Sequence, residues 1–90
     1  MPSIKMQRRL SMSNDEALLK VEEAADKLAE KYGLMINWLD DYASIRGPGV
    51  DGTIKVADSV MDLNLELGFL AAPFKSKIEA AIEEYFERLG

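Results

Sequence analysis

The stretch Gly47-Pro48-Gly49-Val50-Asp51-Gly52 satisfies the letter of G-x-G-x-x-G. In dinucleotide sites those glycines let a helix N-terminus approach a pyrophosphate. That chemistry needs a strand before the motif and a helix after it. Here Thr53-Ile54-Lys55-Val56 follows with the alternation of a strand, so the glycines are expected to form a flexible connection between antiparallel strands and not a phosphate loop.

Three carboxylate pairs, Glu22-Glu23, Asp40-Asp41 and Glu83-Glu84, have the residue types of an acid/base dyad or a hard-cation site. Immediate neighbours on a helix do not face one another, and a pair in a turn is solvated. These residues are expected to confer solubility, with no metal bound. The chain has no cysteine and no histidine, which removes the thiolate nucleophile, the disulfide, and the commonest general base and metal ligand. No catalytic constellation and no cofactor site emerges, so the expectation is a protein that is not an enzyme.

Two sets of residues suit binding. Trp38 and Tyr85, with Tyr32 and Tyr42, carry large contact area and polar tips that fit either a core or a ligand pocket between helices and sheet. In so short a chain a large cavity sacrifices burial, which favours the core. The second set is Phe69, Leu70 and Phe74 with Lys75 and Lys77. Either the apolar residues form a buried connection with a solvated lysine rim, or the five make a docking surface for a partner with an acidic rim. The lysines open the second helix, and Glu83, Glu84 and Glu87 lie towards its end. That is the reverse of what a helix dipole favours.

The elements that must position these residues follow from periodicity. Ile4, Met6 and Leu10 share one parity while Lys5, Gln7 and Arg9 take the other, which reads as a half-buried strand. Ser13-Asn14-Asp15-Glu16 has capping-box form, and Leu18, Val21, Ala25, Leu28 and Tyr32 then recur at helical spacing up to Gly33. Short strands are expected over 34–39, 42–46, 53–57 and 60–67, with turns at Asp40-Asp41 and Asp58-Ser59. Pro73 suits the first turn of a second helix, whose stripe runs Phe74, Ile78, Ala81, Ile82, Tyr85, Phe86 and Leu89.

The order β-α-β-β-β-β-α predicts an α+β two-layer sandwich, a five-stranded and mostly antiparallel sheet with both helices on one face. The first and fifth strands are expected to pair, with Lys5, Gln7 and Arg9 opposite Glu66, Asn64 and Asp62.

With 90 residues there is room for one domain, spanning 1–90. The first twelve residues lack the apolar run of a signal peptide, and nowhere is there a stretch of about 18 apolar residues. The expected location is the cytoplasm, with no transmembrane segment. Net charge is −5, and an acidic body repels polyphosphate, so nucleic acid is not expected as a partner. Open sheet edges and the apolar run are compatible with a homodimer.

The segments Met1-Pro2-Ser3-Ile4 and 49–56, with Leu65-Glu66-Leu67-Gly68-Phe69-Leu70 leading to Lys75-Ser76-Lys77-Ile78-Glu79, resemble the polyhydroxyalkanoic acid system proteins of bacteria. The likeness spans nearly the whole chain and is most specific between Leu65 and Glu79. Members often carry a histidine in the first strand, where this chain has Lys5. Five expected strands set it apart from the phasins, which are mostly long amphipathic helices. The resemblance implies a link to storage-polyester granules. The resulting expectation is a non-catalytic binding or regulatory protein that docks on granules or granule-associated proteins through Phe69, Leu70, Phe74, Lys75 and Lys77. The alternative is a carrier of hydroxyacyl or acyl groups with a pocket near Trp38 and Tyr85.

Overall fold

The computed structural model describes residues 2–87. Strand β1 (Ser3–Arg9) leads into helix α1 (Asn14–Tyr32). Four strands follow, β2 (Met35–Leu39), β3 (Tyr42–Gly47), β4 (Val50–Ala57) and β5 (Val60–Leu67). A 3-10 turn over Ala72–Phe74 then opens helix α2 (Lys75–Glu87). Leu89, expected in the stripe of α2, lies outside the described residues.

All five strands form one antiparallel sheet in the order β1-β5-β4-β3-β2. Both helices contribute to a single core on one face of it: Ala17, Val21, Ala25 and Leu28 from α1, and Ile82 and Phe86 from α2, join Ile4, Ile54, Leu63 and Leu65. This is the expected two-layer α+β sandwich. The other face is mostly polar, because every second residue of each strand turns to water. On it the Gln7 amide donates to Asp62 Oδ1 at 3.0 Å, and Arg46 lies opposite Asp51 with a 3.8 Å ion pair.

The local signals behave as their chemistry dictates. The Ser13 hydroxyl accepts from the Glu16 N–H at 3.3 Å, and Gly33 ends α1 in the left-handed conformation. The hairpin turns Asp40-Asp41 and Asp58-Ser59 each take positive φ, at Asp40 (58°) and at both Asp58 (52°) and Ser59 (61°). Short polar side chains tolerate that region best after glycine.

Two expectations need correction. The glycine-rich connection is not a six-residue loop: Gly47 pairs with Val50, leaving only Pro48-Gly49 as the turn, so β4 begins at Val50 and not at Thr53. Gly52 is a strand residue, and a Cβ there would collide with the Asn64 carbonyl oxygen of β5. The second correction concerns register. β1 does pair with β5, but Lys5 faces Asn64, Gln7 faces Asp62 and Arg9 faces Val60, two residues away from the expected alignment. A two-residue slip leaves every side chain on its own face, so alternation cannot detect it. What fixes the register is Ser59, whose carbonyl accepts from Leu10 N–H at 2.8 Å and whose hydroxyl donates to Met12 O at 2.7 Å.

Candidate functional site

Burial along α2 is graded. Phe86 is 1% and Ile82 4% exposed, Ile78 is half-buried, and Phe74, in the 3-10 turn just before the helix, is 53% exposed. These residues share one stripe, so the helix seats its C-terminal half on the sheet while its N-terminal half stands away from it. An open apolar groove with a volume of about 550 Å³ results. Its walls are Ile78, Ala81 and Ile82 of α2, Ala25 and Leu28 of α1, and Ile45, Ile54, Leu63 and Leu65 of the sheet. The expectation that so small a chain would fill its interior is therefore corrected.

At the mouth stand Leu70, Phe74, Lys77 and Tyr32. Lys77 is the single charged residue on the lining; no Asp or Glu among the described residues contributes to it. The tip that carries Phe69 and Leu70 is held by backbone bonds. Gly68 N–H donates to Gly49 O at 2.8 Å, and Ala71 and Ala72 N–H both donate to Gly68 O, at 3.1 and 3.0 Å. This shape forces the two side chains outward, leaving Phe69 92% and Leu70 71% exposed. Of the two readings of this segment, the buried connection is thus excluded: Ala71 alone of the run is buried.

The structure thus brings Leu70, Phe74 and Lys77 together on the groove, with Phe69 exposed beside Leu70. Lys75 lies on the same turn of α2, with Nζ 4.0 Å from Glu79 Oε1 in an i,i+4 pair. At that exposure the pair adds little stability.

Trp38 and Tyr85, weighed as core or as pocket residues, do not line this groove. Trp38 sits on the outermost strand β2, opposite Ala43, half-buried and packed against the core. Its Nε1–H is shielded from water and has no hydrogen-bond partner among the described residues. Tyr85 turns towards α1, where Lys31 Nζ lies 5.9 Å from its ring centroid and 5.5 Å from that of Tyr32. Aromatic composition pointed to these residues, whereas the groove is made by aliphatic and alanine positions that carry no comparable signal. Tyr42 lies on the outer face, 43% exposed.

The remaining candidates disperse. Asp40 and Asp41 form a hairpin turn, Glu83 and Glu84 are exposed on α2, and no three carboxylates among the described residues converge into a metal-binding group. Gly47 to Gly52 form a hairpin with no helix behind it. No described helix is long and apolar enough to cross a membrane.

A family model described as polyhydroxyalkanoic acid system protein matches residues 4–89. No curated protein and no solved structure matches the chain.

Proposed function

Because the chain belongs to the polyhydroxyalkanoic acid system protein family, we propose that it serves polyester storage without catalysis, as a cytoplasmic binding or regulatory protein docking on granules or granule-associated proteins. The observation that carries this reading is the apolar tip of Phe69, Leu70 and Phe74, exposed to 92%, 71% and 53% beside Lys75 and Lys77. Folding alone gives no reason to hold large apolar side chains in water. Covering them against a polyester surface or a protein layer gains about 25 cal/mol per Å² of apolar area. The lysines orient that contact towards an acidic rim.

The test is co-sedimentation with washed granules. Replacing Phe69 and Leu70 by Ser abolishes co-sedimentation while leaving the melting temperature unchanged, since neither side chain packs in the core. Undiminished granule binding by the double variant overturns the reading.

The groove favours a second reading, in which the protein holds a small molecule of hydroxyacyl or acyl type between helices and sheet. Its volume of about 550 Å³ lies within the roughly 300–1,000 Å³ typical of small-molecule sites. A ligand present at a hundred times its Kd stabilises the fold by about 2.7 kcal/mol. A rise in melting temperature with hydroxyalkanoates supports this reading, and an unmoved melting temperature at saturating concentrations counts against it.

A further inference from the structure

The lining of the groove specifies its ligand more closely than its volume does. Apart from Tyr32 and Lys77 every lining side chain is aliphatic, aromatic, alanine or proline, so a polar body inside would lose its hydrogen bonds to water without replacement. The wall supplied by the 3-10 turn and α2 runs from Phe74 through Lys77, Ile78, Ala81 and Ile82 to Phe86. Twelve residues, about 18 Å of helix, separate the ends of this wall, and the groove opens along the half that stands away from the sheet. Among the described lining residues charge occurs at one place only, Lys77, on the first turns of α2 where the helix stands clear of the sheet. Its side chain is exposed, so the ammonium remains solvated and can meet an anion at the mouth.

We propose that the groove is a site for a single acyl chain with an anionic head: the tail lies along α2 against Ile45, Leu63 and Leu65, and the head pairs with the Lys77 ammonium. This rests on the small-molecule reading and names its ligand class. It is independent of docking by Phe69. The absence of acidic residues from the described lining is what selects an anion, because any carboxylate there would pair with Lys77 and repel the head.

The experiment uses the full chain, freed of lipid, and a fluorescent fatty acid as the reporter, displaced by octanoate, decanoate and dodecanoate and by their methyl esters. The carboxylates displace the reporter at concentrations about tenfold or more below their esters, and affinity rises with chain length. K77M brings the acids to the level of the esters and leaves the esters unchanged. A81W, with I78W as the alternative should A81W fail to fold, blocks acids and esters alike while granule co-sedimentation persists. Binding of both forms without discrimination by Lys77 overturns the assignment of the head and spares the pocket. Failure of every chain to displace the reporter, with the fold intact by circular dichroism, overturns both. A concentration-dependent dimer that A81W dissolves, with no amphiphile bound, also overturns the proposal and identifies a second copy as the occupant.

Discussion

The N–H of Gly68 donates to the carbonyl oxygen of Gly49 across 2.8 Å, tying the end of β5 to the β3–β4 turn and so fixing where the apolar tip emerges. Gly49 has φ +74°, and a Cβ there would lie 3.3 Å from Ala71 N and 3.5 Å from Leu70 Cβ. Two demands therefore meet at one residue: a left-handed backbone, and room for the tip to pass. G49A is expected to lower stability by about 1–2 kcal/mol through the backbone alone, and each kcal/mol moves the melting temperature of a domain this size by roughly 4–8 °C. Thermal unfolding followed by circular dichroism measures it. A variant melting with the parent would mean that the turn relaxes freely and does not position the tip.

Ser59 ties the β4–β5 turn to the start of α1. Its N–H donates to Asn14 Oδ1 at 2.9 Å, its hydroxyl to Met12 O at 2.7 Å, and its carbonyl accepts from Leu10 N–H at 2.8 Å. S59A removes only the hydroxyl bond, worth about 0.5–1.5 kcal/mol, and keeps a side chain at φ 61°. S59G removes the same bond but relieves the left-handed strain, worth about 1 kcal/mol. Denaturant titration should therefore find S59G more stable than S59A. The reverse order would mean that strain at this turn is negligible.

These two clamps explain what could and could not be read from the chain. The capping box at Ser13, the stripe of α1, the turns at Asp40 and Asp58 and the pairing of β1 with β5 are local or pairwise signals, and each is legible in residue types. The exact register of β1 is not, since the bonds of Ser59 to Leu10 and Met12 bridge distant parts of the chain. The groove is hidden for a related reason. The stripe from Phe74 to Phe86 is continuous in sequence, and periodicity gives no hint that Ile82 and Phe86 are buried while Ile78 is only half-buried and Phe74 exposed. The exposed tip was legible as a candidate, but its exposure depends on the bond from Gly68 to Gly49.

Trp38 offers a different prediction, because its indole N–H is shielded from water and has no partner among the described residues. A buried donor without a partner costs about 1–3 kcal/mol. W38F keeps most of the apolar area and removes the donor, so its stability is expected to equal or exceed that of the parent, whereas W38A loses packing by about 3–5 kcal/mol. Urea unfolding monitored by circular dichroism compares the three. Strong destabilisation by W38F would require the indole N–H to have a partner, and would point to an interaction made by β2 in solution.

The edges of the sheet differ in how they resist association. β1 carries Lys5, Arg8 and Arg9, while the five residues of β2, Met35-Ile36-Asn37-Trp38-Leu39, carry no charge and no proline, the devices that normally keep an edge from pairing. Met35 is 69% and Leu39 75% exposed. Antiparallel pairing of β2 with its copy about Asn37 places Met35 opposite Leu39 in two symmetric apolar contacts and brings no like charges of the strand together. The expected outcome in sedimentation velocity is a monomer–dimer equilibrium that shifts with concentration. L39K and M35K should each return it to monomer without lowering the melting temperature, since both side chains point to water in the monomer. A single monomeric species across the concentration range would mean that β2 is too short to pair unaided, and would leave the edge available to a different strand.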